Sequence, residues 1–407
     1  MKIPCDRRSE NTLFPKRPSC SGFVDEKTAT RLVRKFGSPL LVGRKSLIRN
    51  QFRIVQARLP GVQIHYAVKA NSDRTVLSIL HDMGAGFDVA SLGEIDRIFI
   101  ICGSLSKSIF SNPCKTVAAI DQAYAGGCRQ FAFDCQSELE KLRRLPLDVK
   151  LLLRVGVPAG SCRVNLSQRF GASIEQVKQL GLDAKHHHQS IAGIAFHVGS
   201  QATDYTDFGT GFEIAAITWR ILEGLGHNLE FMNIGGGFPV DYQAFPLEMD
   251  EYLTNVMKLR DQKFCRLIKE KQNGLPVQWM SEPGRILVAD AVTLLASVIG
   301  VKHLSSGKPC YTIDDGIYGS FSGRYFPPDY FRFFPVPHNH ASSDDRSLLP
   351  SMVCGPTCDG GDILGHSQLL PALKIGDLVQ VPQMGAYTSV GASRFNGLPI
   401  TRRVWID

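Results

Sequence analysis

Between about residues 39 and 285, short apolar runs alternate with helical stretches, and this alternation limits the fold more than any other feature of the chain. The runs are Ile64–Ala70, Gly86–Ser91, Ser108–Ser111, Gln130–Asp134, Lys150–Val155, Ile191–Val198, Leu229–Gly235 and Val277–Glu282. They are short, apolar and bounded by polar or glycine residues, as buried strands are. Between them lie helical stretches such as Arg74–Met83, Lys115–Ala125, Ser137–Leu145, Ile174–Leu180 and Phe212–Leu225. Eight parallel strands alternating with helices predict a TIM barrel.

After residue 285 the texture changes. Ile286–Lys302 carries a long β-branched run, and Pro309–Asp314, Leu378–Pro382 and Ile400–Ile406 also read as strands. Glycine and proline punctuate the rest, so an all-β barrel or sandwich domain is expected. The predicted division is an N-terminal segment, 1–38, partly packing on the β domain; a barrel, 39–285; and a β domain, 286–407. Asp25–Lys35 reads as a helix and Pro39–Gly43 as a strand, whereas residues 1–25 are weakly patterned.

Composition excludes several classes. A hydrophobic fraction of 43% with 21% charged residues suits a globular enzyme, not a disordered chain. The net charge of +8 is scattered and has no run of five basic residues. It biases the chain towards anionic ligands without marking a nucleic-acid surface. No run approaches the ~20 apolar residues of a membrane span, and no signal peptide is evident. Eleven cysteines at no zinc-like spacing read as reduced thiols of a cytoplasmic protein, with no metal site. The His186–His188 triplet reads as a solvated loop.

TIM barrels place their chemistry at the C-terminal ends of the strands. Here those ends carry Lys69, Asp88 and Ser91, Arg154, His197 and Ser200, Gly235–Gly237, and Glu282 with Arg285. A lysine ending a buried strand is costly unless paired or covalently used. Lys69 is either a rim residue that snorkels to water or an amine that forms a Schiff base with a carbonyl cofactor. Gly235, Gly236 and Gly237 form either a plain turn or a nest of N–H groups around an anion. Arg285, after Pro283-Gly284, can bridge two phosphate oxygens, and Ser200 adds a hydroxyl. Glu282 could keep a pyridine nitrogen protonated, and the flat ring of His197 could stack on such a cofactor. In the second domain, Cys358 and Asp359 lie in a Gly/Pro-rich loop, where a thiol can act as an acid. Tyr387 follows Gly385-Ala386, so its phenol can project from a tight turn.

The motifs AVKAN, GFDVASLGEI, FHVGS, NIGGGFP, SEPGR, GPTCDG and GAYT, in that order from about Pro39 to Asn396, resemble the fold-type III pyridoxal-phosphate decarboxylases. That family acts on ornithine, lysine, diaminopimelate or arginine. The resemblance implies that Lys69 holds the cofactor aldehyde, Glu282 faces the pyridine nitrogen and His197 stacks on the ring. Ser200, Gly235–Gly237, Arg285 and Tyr387 match its phosphate cradle, and Asp88 and Arg154 match residues near the lysine and the ring. The same resemblance implies a head-to-tail homodimer with shared sites. Cys358 then reaches in from the second subunit to govern protonation of the α-carbon. Asp359 receives the distal amine, and Arg169 and Asp362 form an intersubunit ion pair.

Asp359, where diaminopimelate decarboxylases typically have Glu, points to ornithine or lysine as substrate and to polyamine biosynthesis. Tyr318–Phe321 and the FNG at Phe395–Gly397 resemble the ornithine branch too, and Tyr387 and Phe395 join the substrate residues. Gln201 instead resembles the diaminopimelate branch. Asp329 can supply a second substrate carboxylate only if two residues are inserted before it. Arg324 contacts a carboxylate of a longer substrate or faces water. Alternatives are a diaminopimelate or arginine decarboxylase, an alanine-type racemase, and a non-catalytic regulatory relative. The racemase would not be expected to carry SEPGR and CDG, and the regulatory relatives lose cofactor residues that are present here.

Overall fold

The computed structural model describes residues 22–242, 248–268, 277–323, 327–336 and 347–407. Each predicted barrel run forms a strand, and the eight close on themselves. Strand β1 (Leu40–Arg44) comes first in the chain. The barrel follows with β2 (Val62–Ala67), β3 (Gly86–Asp88), β4 (Ser108–Phe110), β5 (Gln130–Phe133) and β6 (Lys150–Val155). It continues, past the short β7 (Cys162–Val164), with β8 (Ile191–Phe196), and past β9 (Ser200–Ala202) with β10 (Phe231–Asn233) and β11 (Gln278–Ser281). β11 returns to β2 in parallel through Trp279–Val62, Met280–Gln63 and Ser281–Ile64, which closes the ring. β7 and β9 pair antiparallel outside it.

These strands read as unbroken apolar runs because both their faces are buried. Ile109, Ala132, Leu152, Ala192, Phe231 and Met280 form one small cluster with members on six of the barrel strands. Alternate residues such as Phe131, Phe133, Leu151 and Leu153 belong to the larger surrounding core. The connecting helices start at polar caps: Asp73 accepts from the Thr75 N–H, Thr116 from Ala119, and Ser173 forms a capping box with Gln176.

The strands are shorter than the apolar runs. β2 stops at Ala67, and Lys69 lies in a single helical turn, Val68–Ala70. β3 stops at Asp88 because Ser91 caps the helix Leu92–Cys102. β10 stops at Asn233, before Gly235 turns to a φ of +63°. The helix expected at Ile174–Leu180 runs on to His186. The histidine triplet is exposed as expected, but it terminates a helix instead of lying in a loop.

The second domain is a sheet of eight strands. Its path is β14 (Phe334–Pro335), β17 (Leu378–Val381), β12 (Val292–His303), β13 (Pro309–Ile313), β15 (Leu349–Cys354) and β16 (Ile363–Leu370). β1 pairs antiparallel with β12 and parallel with β18 (Arg402–Ile406), so the sheet takes in both an early and a late strand. This corrects the barrel boundary at residue 39: β1 belongs to the β domain, and the barrel unit begins with the helix Lys45–Arg58. The helix Glu26–Phe36, capped by Asp25, packs on the same sheet through Ala29 and Leu32. β14, β15 and β16 were not anticipated; β15 and β16 mix exposed and buried residues without clean alternation.

Gly43 shows how tightly this join is packed. A Cβ there would lie 2.3 Å from the Trp405 indole, so only glycine lets β1 and β18 meet. Gly43→Val should therefore cost about 2 kcal/mol, the usual penalty of overpacking. Urea unfolding should show a lowered midpoint, with the loss of Trp405 burial visible in the fluorescence.

Candidate active site

One cavity of about 300 Å³ opens at the C-terminal mouth of the barrel. Lys69, Arg154, His197, Ser200, Gly237, Glu282, Arg285 and Tyr387 all line it. The barrel brings these residues together because successive strands end on the same rim. The roof comes from the β domain: the Tyr387 N–H donates to the Ala70 carbonyl at 2.9 Å, and Asn71 Nδ2 donates to the Gly385 carbonyl at 2.8 Å.

Lys69 Nζ lies 3.0 Å from Asp88 Oδ2. The lysine is walled in by protein, yet its side chain is 45% accessible because it opens on the cavity. Burial opposes its charge, but Asp88, the Tyr387 phenol and Glu282 outweigh that and hold the amine above its ordinary range. Burial pushes the Asp88 carboxyl up; Lys69 opposes the shift and Glu282 adds to it. Asp88 Oδ1 is buried without a partner. His197 is kept neutral, first by burial and then by Arg154 and Lys69. Its Nδ1 accepts the Gly199 N–H at 3.0 Å, which places its proton on Nε2.

The two ends of the cavity differ in charge. At one end Arg285 reaches the Ser200 hydroxyl and the Tyr242 phenol, each at 3.2 Å, with its guanidinium 4.8 Å from the Tyr387 ring. Gly237 borders this end with a φ of +107°, and a Cβ there would lie 2.3 Å from the Gly199 carbonyl oxygen. Gly235 and Gly236 pack behind it, against the Phe196 and Glu282 carbonyls. At the other end stands Glu282, 8% exposed, whose Oε1 accepts from the Ser111 hydroxyl and, at 2.6 Å, from Asn233 Nδ2. Ser111, Asn233 and Tyr242 were missed from the sequence. Asn233 could have been found, since it sits two residues before the glycine turn in NIGGGFP; Tyr242 carries no local signal.

Not every expected site residue reaches this cavity. Cys358, Asp359 and Phe395 do not line it. They cluster in the β domain, where Tyr318 stacks on Phe395 at 4.1 Å and donates to Asp359 Oδ2 at 2.6 Å. The Cys358 thiol is exposed and lies 3.4 Å from Asn396 Oδ1. Asp329 also lies away from the cavity, and its carboxylate is already engaged. It accepts from the His366 and Ser367 N–H groups and from Gln368 Nε2 at 2.9, 3.1 and 3.0 Å, fixing β16. Asp362 is 2% exposed and accepts from the Ile317 N–H and from the Thr357 N–H and hydroxyl. It holds its own loop, and within the same chain the Arg169 guanidinium lies over Phe170. Gln201 clamps Val240 through both ends of its amide, so its departure from the ornithine pattern has a structural use. Arg324 lies outside the described residues. Among those residues no cluster of three or more His, Cys, Asp or Glu could hold a metal ion, and no helix is long and apolar enough to cross a membrane.

An anion cradle, an amine and a buried carboxylate in one cavity define a site for a phosphorylated aldehyde with a basic ring nitrogen. The profile of the family described as "Pyridoxal-dependent decarboxylase, pyridoxal binding domain" matches residues 45–289. The lysine/ornithine decarboxylase of Selenomonas ruminantium is 34% identical over 92% of this chain and 91% of its own. The Vibrio vulnificus lysine/ornithine decarboxylase solved with cadaverine superposes with a TM-score of 0.79. It is 35% identical and covers 93% of this chain and 97% of its own. The arginine decarboxylase of Paramecium bursaria Chlorella virus gives a TM-score of 0.83 at 27% identity, over 94% of this chain and 100% of its own. The chain belongs to the fold-type III pyridoxal-phosphate decarboxylases. It is a pyridoxal-phosphate-dependent amino-acid decarboxylase.

The residues present fit that cofactor. Ser200, Gly237, Arg285 and Tyr387 would hold its phosphate, with no acid among them. Lys69 would hold its aldehyde, and Glu282 would face its ring nitrogen. When bound, the cofactor supplies a protonated ring that takes up the electron pair left when CO2 departs. Borohydride reduction of the loaded protein should add the cofactor's mass to the Lys69 peptide, and Lys69→Arg should not retain that adduct on mass spectrometry. Arg285→Ala should weaken cofactor binding about 10- to 100-fold, as loss of a charge-assisted phosphate contact does, measured by equilibrium dialysis.

Proposed function

We propose that the protein decarboxylates a basic amino acid with a terminal amine, ornithine or lysine, to the diamine and CO2, as a homodimer with shared active sites. One observation carries this reading: Cys358, Asp359 and Phe395 form a cluster of their own, apart from the Lys69 cavity of the same chain. A second copy can supply that cluster to the cavity, as closed symmetric dimers allow. Asp359 is suited to an ammonium group, because hydrogen bonds from Tyr318 and then from the Gly361 N–H hold its carboxyl below the usual range. The related decarboxylases named above act on ornithine, lysine or arginine, all with a cationic far end.

In this reading the Cα–carboxylate bond breaks, CO2 leaves, and the partner's Cys358 loop returns a proton to the α-carbon. Lys69 would hold the cofactor's aldehyde, and Asp88, 3.0 Å away, orients its amine. Glu282, fixed by Ser111 and Asn233, keeps the ring nitrogen protonated while charge develops. A cytoplasmic place in polyamine supply goes with this function.

Carbon dioxide release from L- and D-ornithine, lysine, arginine and diaminopimelate tests the substrate. Turnover of L-ornithine or L-lysine is expected, and turnover of diaminopimelate alone would defeat the reading of Asp359. Asp359→Ala should raise KM for the diamino acid about 10- to 100-fold, the worth of one charged contact. Mixing inactive Lys69→Ala and Cys358→Ala chains should restore about a quarter of native activity, since half of randomly mixed dimers hold one complete site.

A further inference from the structure

Lys115 and Glu138 form a buried ion pair that the mechanism above does not use. They are 4% and 2% exposed, and Lys115 Nζ lies 2.6 Å from Glu138 Oε1. Taking two charges out of water is expensive, and such a pair seldom stabilises more than apolar residues would. Its use here is geometric. The Lys115 ammonium has three protons and meets three acceptors: Glu138 Oε1, the Ala132 carbonyl at 2.5 Å and the Asn112 carbonyl at 2.9 Å. The Lys115 N–H also donates to Glu138 Oε1 at 3.1 Å. Lys141 closes the cluster by reaching Glu138 Oε2 and the Lys115 carbonyl.

This cluster grips the loop that follows β4. Ala132 lies in β5, so the ammonium ties the loop to the neighbouring strand. On the loop's other side, Asn112 Nδ2 donates to the Ala90 carbonyl at 3.2 Å, beyond β3. Ser111, Asn112 and Pro113 form cavity wall. Ser111, one residue before the gripped carbonyl, donates to Glu282 Oε1, as does Asn233. Both donors take the same oxygen, which leaves Oε2 for the cavity.

We propose that Lys115 is a positioning residue for the decarboxylation: its ammonium fixes the loop so that Ser111 holds Glu282 with one oxygen turned into the cavity. This rests on the reading of Glu282 as the partner of the cofactor's ring nitrogen. Lys115 touches neither cofactor nor substrate. It acts through the Asn112 carbonyl and Ser111.

The test is a double-mutant cycle on the loaded enzyme. Lys115→Met and Ser111→Ala should each lower kcat about tenfold with KM within about twofold, because each frees the same carboxylate. The double variant should again lose about tenfold, since the two act on one contact. The visible circular dichroism of the bound cofactor should change alike in all three. A double loss near the product of the single losses would overturn the proposal, as would an unchanged kcat and dichroism in Lys115→Met. If Lys115→Met does not fold, Glu138→Gln loosens the same ammonium and takes its place in the cycle. Glu282→Gln separates the two readings. If it keeps native kcat, the role of Glu282 itself falls. If it loses kcat while Lys115→Met and Ser111→Ala act independently, only the role of Lys115 falls.

Discussion

The pairing of the eighth barrel strand with the first is the contact on which the site depends. Ser281 lies beside Ile64, and the Ala67 N–H donates to the Pro283 carbonyl at 3.2 Å. Closure of the sheet thus sets the turn that bears Glu282 and Arg285 against the turn that bears Lys69. No local interaction could bring an acid and an amine so far apart in the chain to one cavity. An open sheet would leave its first and last strands at opposite edges.

Within the ring, charge is sorted by position. The amine lies 3.0 Å from Asp88, and Asp88, Tyr387 and Glu282 favour its protonated form despite its burial. The phosphate end holds Arg285, hydroxyls and a glycine turn, and no acid lines it. A cofactor with an anionic tail and a basic ring would be held with its tail at Arg285 and its ring nitrogen towards Glu282. Burial, and then Arg154 and Lys69, keep His197 neutral, so it can offer a flat face without adding a second cation beside Lys69.

The two domains are joined twice, and each joint serves the site. β1 and β18 bring both ends of the described chain into the β domain, with Gly43 making room for Trp405. The Met384–Thr388 segment then returns to the barrel rim, where Tyr387 completes the cradle. The β domain also carries the Cys358–Asp359 loop, between β15 and β16. Asp362 braces that loop from within and Asp329 fixes β16 beside it. Both carboxylates read as functional only through the family resemblance, which does not show the donors that surround them here.

The sequence determined the barrel's strand count, the order of its elements and most of the cofactor cavity. Buried parallel strands must be apolar on both faces, so Lys69, Asp88, His197 and Glu282 stand out where the runs end. Mixed-exposure strands such as β16 leave no such period, and they were not legible. Tertiary structure alone decided which polar atoms meet. Ser111 and Asn233 became partners of Glu282, and Tyr242 a partner of Arg285, only because distant strands end on one rim. It alone showed that Asp329 and Asp362 accept from backbone N–H groups and from the Gln368 amide and the Thr357 hydroxyl. A carboxylate's role depends on which donors surround it, and a one-dimensional pattern of residue types does not hold that information.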